Sequence, residues 1–167
     1  MAASPQEAFF LQAESDWGMF RRLQVTQPSP DCHALHYLQM TVEKLAKSYD
    51  WLLRGQTNQE SHKFVALWRC MGDSRQLAVA MGMEKTQFEA MMLGLVELVA
   101  DIEQLHPSLA RDGANCEYPW PRENPTTAPV EWRFSLASTL ETANGRKLIH
   151  TLGRLIESRF FGQSVTE

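Results

Sequence analysis

Long apolar runs are missing from this 167-residue sequence. No uninterrupted stretch approaches the ~20 residues that a membrane-spanning helix needs, so no membrane partner is expected. Excess positive charge is missing too. Sixteen Lys and Arg against 20 Asp and Glu leave a formal net charge of −4. That balance excludes a global field for non-specific nucleic-acid binding and leaves only local basic patches. Cysteine is scarce: Cys32, Cys70 and Cys116 form no CxxC and cannot all pair. Reduced thiols are therefore expected, with no disulfide framework and no zinc site. The start, Met1-Ala2-Ala3-Ser4-Pro5, lacks the basic stretch and apolar core of a secretory signal, and a cytoplasmic location is the expectation. Strand-like alternation is nowhere sustained outside a few residues at 130–134. There is no P-loop, no GxGxxG and no GxSxG elbow, so neither a cofactor nor a dedicated enzyme site is expected.

What is present reads as helices. The composition, 44% hydrophobic and 22% charged, is that of a globular protein. One all-α domain over 1–167, a bundle of about five helices, is the expected architecture. Ser4-Pro5-Gln6-Glu7 is a capping box with proline at the first helical position. Phe9, Ala13, Trp17, Phe20 and Leu23 follow at helical spacing, until Gln27-Pro28-Ser29-Pro30 ends the segment. A second helix runs from about Cys32 to Leu53 and stops at Gly55, with Leu35, Leu38, Val42, Leu45, Tyr49 and Leu52 as its apolar stripe. On it Glu43 and Lys47 stand four apart, a spacing that supports an exposed helix by a few tenths of a kcal/mol. A third helix is expected over about 60–70 after a polar turn at 55–58. Further helical segments are expected from Ser74 with a joint at Gly82, from Gln87 to Leu105, and from Ser135 to Phe161 with a division at Asn144-Gly145. Residues 107–131 hold five of the eight prolines and read as a long ordered loop, a feature that is uncommon in compact domains and usually functional.

Three short elements carry a family resemblance. The segment from His33 to Lys47, ending Glu43-Lys44-Leu45-Ala46-Lys47, resembles the second-helix signature of HEPN domains. Ser61-His62-Lys63-Phe64 is similar to the element that opens the next helix in that family. Glu117-Tyr118-Pro119-Trp120 resembles a later Arg-Tyr-Pro-like element of members paired with small nucleotidyltransferases. The three lie in family order over roughly 16–120, and the remainder matches only as a closing helix. The resemblance implies a helical bundle that commonly dimerises. It also implies either metal-independent RNA cleavage or a non-catalytic role as a binding or partner module in a microbial defence, toxin–antitoxin or nucleotidyltransferase-linked system. Catalytic members carry an Arg followed, after four to six residues, by a His. Here Arg54 and His62 have seven residues between them, and Arg146 and His150 have three. No catalytic residue is carried over.

Each candidate also has an ordinary structural reading. His33 and His36 offer two ring nitrogens on one helix face, but no third metal ligand stands at a fixed offset. Lys44 and Lys47 suit a nucleotide phosphate or an acidic partner, whereas most such lysines are simply solvated. His62 lies beside Ser61, which is expected to cap the third helix. Tyr118 and Trp120, set between prolines, either clamp a ligand or pin the loop to the core. The leading expectation is a non-catalytic binding module acting as a homodimer or with a partner protein, with RNA or a nucleotide as possible ligands. The alternatives are an RNase in which Arg54 and His62, or Arg146 and His150, converge in space, and a structural subunit of a larger complex.

Overall fold

The computed structural model describes residues 3–26, 29–121 and 126–160, and its regular structure is helical throughout. Of the positions singled out above, Met1, Ala2, Gln27, Pro28, Pro125 and Phe161 lie outside the described residues.

Helix α1 (Pro5–Val25) starts at the anticipated cap, where the Ser4 hydroxyl accepts the Glu7 amide at 3.2 Å. Its inward face is turned slightly from the expected stripe: Phe10, Ala13, Asp16 and Phe20 are buried, while Phe9, Trp17 and Leu23 are half-buried. A carboxylate on the core side is the first sign that this interior is not wholly apolar. Helix α2 (Asp31–Arg54) stops at Gly55, whose φ of 66° is left-handed, a conformation glycine adopts without steric cost. Ser48 on α2 donates to the Gln6 carbonyl at 3.0 Å, so the end of α2 lies against the start of α1 and the two run antiparallel.

The third helix begins later than expected. Asn58 accepts the amides of Glu60 and Ser61 at 3.1 and 3.2 Å, which holds this stretch in a turn. Helix α3 (Val65–Gly72) is instead opened from a distance. The Glu103 carboxylate accepts the Phe64 amide and, at 2.8 Å, the Val65 amide. An acceptor brought from 38 residues away does what Ser61 was expected to do, and His62 is left in the extended approach to the helix.

Helices α4 (Arg75–Ala80), α5 (Lys85–Leu93) and α6 (Val96–Glu103) follow. Ser74 caps α4 through the Leu77 amide, and Gly82, at a φ of 64°, turns the chain into α5. The single helix expected over 87–105 is divided at Gly94-Leu95, where glycine lowers helix propensity and Leu95 and Val96 both turn inward. Helix α7 (Ser135–Leu140) and helix α8 (Ala143–Ser158) meet at Thr142, whose hydroxyl accepts the Gly145 amide at 3.3 Å. The break therefore falls just before Asn144-Gly145. Gly145 is needed for a different reason: a Cβ there would lie 2.3 Å from the Leu140 Cα.

The described residues thus form eight α-helices where about five were expected. Apolar periodicity runs on through tight corners, so sequence pattern alone merges short helices that backbone caps divide. Residues 129–131 form a single 3-10 turn, and the only strand-like pairing among the described residues is an isolated bridge between Trp120 and Thr127. Trp68, Phe10, Phe20, Phe64, Phe88 and Phe160 are fully buried. The Trp68 indole donates to the Met92 carbonyl at 3.0 Å, so its polar edge is satisfied inside the core.

Candidate functional site

Halfway along α2 the core turns polar. Gln39, Glu43 and Lys47 occupy successive turns of one face and are all buried, with Glu43 completely enclosed. Glu43 accepts hydrogen bonds from Gln39 at 2.9 Å, Lys47 at 2.8 Å and Lys44 at 3.2 Å, and His62 Nδ1 stands 3.1 Å from its second oxygen. Lys47 also donates to the Gln59 carbonyl at 2.9 Å, which ties the 55–64 connection to α2. Burial alone would raise the Glu43 pKa. The Lys47 hydrogen bond, the charges of Lys44 and Lys47 and the contact with His62 outweigh it and hold the carboxyl at about 2. The expected surface pair of Glu43 and Lys47 is in fact a desolvated, multiply bonded anion.

From α1, Asp16 approaches the same cluster. Gln12 donates to one of its oxygens at 3.0 Å, and the other has no hydrogen-bond partner among the described residues. Burial raises its pKa, against the hydrogen bond from Gln12 and the attraction of Lys44 and His36.

The cluster continues outward through stacked imidazoles. The His62 and His106 rings lie 3.4 Å apart between centroids at 13° to one another. Burial lowers the His106 pKa and the neighbouring His62 lowers it further, against the pull of Glu117 and Glu43. Beyond them Glu117 stands 4.0 Å from His106 Nε2 and 3.6 Å from His36 Nδ1. Asn115 positions that stretch by accepting the amides of Glu117 and Tyr118 at 3.0 and 2.8 Å.

On the far side of Glu117 opens a recess of about 570 Å³ between α1, α2 and residues 116–118. Met19 and Leu23 form one wall, His33, His36 and Tyr37 another, and Cys116, Glu117 and Tyr118 the third. The Cys116 thiol is buried and unreactive, its pKa pushed well up by burial. Such a recess, mostly apolar and aromatic with one convergent charge, has the character of a small-ligand or side-chain pocket.

Of the residues anticipated from sequence, Lys44, Lys47 and His62 meet at Glu43, while His33, His36 and Tyr118 line the recess. Trp120 is not among them. It is buried against Trp132 and Phe134, at ring distances of 5.9 and 6.3 Å, and pins the loop to the core. Arg54 lies at the end of α2, roughly 16 Å along the axis from Glu43, and pairs with Asp50, whereas His62 stands at Glu43. Arg146 and His150 line a second groove, between α1 and α8, with Trp17, Arg21 and Arg154. There Arg146 donates to the Glu141 carbonyl, and Arg154 donates to the Met81 carbonyl at 2.9 Å.

Sequence reading missed Asp16, Gln39 and His106, and named Glu117 only as part of a motif. The ladder Gln39, Glu43, Lys47, polar at every fourth position beside the apolar stripe, is a signal for the buried line. Nothing local distinguishes His106. Among the described residues no three His, Cys, Asp or Glu side chains stand in metal-ligating geometry, and no helix is long and apolar enough to cross a membrane. The chain matches no family model, and no curated protein or solved structure shows significant similarity to it.

Proposed function

We propose that this protein is a non-catalytic HEPN-like binding module that works as a homodimer or with a partner protein, in a microbial defence, toxin–antitoxin or nucleotidyltransferase-linked setting. The observation that supports this reading is convergence. The three elements that carry the resemblance, around Glu43–Lys47, His62 and Glu117–Tyr118, are separated by up to 70 residues of chain, yet join in one chain of contacts beside one recess. Its chemistry suits holding more than turning over. The cluster's two lysines are committed to Glu43, and no arginine lines the recess, so a developing phosphorane charge has no guanidinium to stabilise it there.

Light scattering on the purified protein, followed by incubation of the same fraction with mixed RNA substrates, tests the proposal. A dimer that leaves RNA intact supports it. Cleavage that disappears in His62→Ala or His150→Ala contradicts it.

The nuclease alternative keeps one specific observation in its favour. Arg146 and His150 face one groove of about 550 Å³ together with Arg21 and Arg154. Loss of cleavage in His150→Ala alone would move the site to that groove.

A further inference from the structure

We infer that the recess between α1, α2 and residues 116–118 binds an organic cation, a methylated ammonium or guanidinium group, through Glu117 and the surrounding rings. The inference rests on the recess being the binding site and adds the chemistry of what enters it.

The argument starts from a contrast between two carboxylates. Glu43 is enclosed and accepts from Gln39, Lys44 and Lys47. Its bonding capacity is used by the protein itself. Glu117 has a side chain 26% exposed, and among the described residues none donates a hydrogen bond to its oxygens. The imidazoles of His36 and His106 stand 3.6 and 4.0 Å from it, beyond hydrogen-bond reach.

The rest of the lining contains neither Lys nor Arg, and its basic side chains are the imidazoles of His33 and His36. Among the described residues Glu117 is the one carboxylate facing the recess. Around it stand Tyr37, Tyr118, His33 and His36, with Met19 and Leu23 opposite. Ring faces attract a cation through their quadrupole, and thioether and alkyl groups accommodate its methyl groups at little cost. Tyr118 is 62% exposed and lines the recess, so its ring is accessible to a bound group. An anionic ligand would meet the Glu117 carboxylate with neither Lys nor Arg in the wall to compensate. A neutral, non-donating one would leave that carboxylate partly desolvated without a hydrogen-bond donor.

Titration of the 15N-labelled protein with choline and with 3,3-dimethylbutan-1-ol, its uncharged isostere, separates charge from shape. We expect choline to shift the amide signals of Cys116, Glu117, Tyr118 and Tyr37 and to bind at least tenfold more tightly than the alcohol. Glu117→Gln should abolish that tenfold preference, and Tyr118→Ala should weaken choline while leaving the spectrum otherwise folded. Running a trimethyllysine tripeptide beside choline identifies the source: tighter binding by the peptide points to a side chain of a partner, and tighter binding by choline to a free amine. Equal affinity for choline and the alcohol, or signals that move with the alcohol alone, would overturn the cation assignment while leaving the recess as a binding site. No shift with any of the three would remove both.

Discussion

Glu43 and Lys47 stand at a spacing that, on a solvated helix, contributes a few tenths of a kcal/mol. Enclosed in the core, with the Glu43 side chain at 0% exposure and that of Lys47 at 3%, the same pair follows different rules. Removing one charge from a buried pair leaves the other uncompensated, which costs about 3–5 kcal/mol. Glu43→Gln should destabilise the protein by that order in urea unfolding, whereas a loss below about 0.5 kcal/mol would place the pair at the surface. Because the folded pKa of Glu43 is depressed to about 2, its contribution is present above the ordinary carboxylate range and lost as pH falls towards 2. Asp16 has the opposite sign: its raised pKa means that the ionised form is a burden on the fold, relieved as pH falls. Asp16→Asn should therefore raise Tm at neutral pH, and the gain should shrink on acidification. A fall in Tm at pH 7 would show that attraction to Lys44 and His36 wins instead. His106, with its pKa depressed, adds stability above the ordinary imidazole value of about 6.5 that is lost as pH drops through its folded value.

Among the elements, those with their own end signals are the ones legible in sequence. Ser4-Pro5 for α1, Gly55 for α2 and Ser74 for α4 each act within one turn of the helix they bound, so reading residues in order finds them. The start of α3 could not be read that way, because its acceptor is the Glu103 carboxylate at the end of α6. Glu103→Ala should cost about 1–3 kcal/mol by leaving two amides without their acceptor. In hydrogen exchange the loss should appear first at Phe64 and Val65; unchanged protection there would mean that α3 is capped otherwise. The corner between α7 and α8 depends on a missing side chain in the same non-local way. Gly145→Ala would drive a methyl into the Leu140 backbone, and a fall in Tm is expected, against the small gain that alanine gives in an open helix.

At the scale of the molecule, the all-helical character and the first two helices follow from periodicity and punctuation. The site follows only in part. His33, His36, Lys44, Lys47, His62 and Tyr118 could be marked as residue types in a suggestive order. That Lys47 is buried, that Trp120 serves the core and that His106 completes the cluster are facts of packing with no local signature. Three of the five histidines, from α2 and two separate connections, come together around Glu43 and Glu117. The central claim is that these distant segments form one continuous site. The measurement that tests it most directly is a 1H–15N spectrum of the histidine rings in the native protein, His62→Ala and Glu43→Gln. Stacking at 3.4 Å predicts ring-current-shifted His106 protons that return towards ordinary positions in His62→Ala and move with His62 in Glu43→Gln. Histidine signals at ordinary positions, with His106 indifferent to both substitutions, would contradict the account.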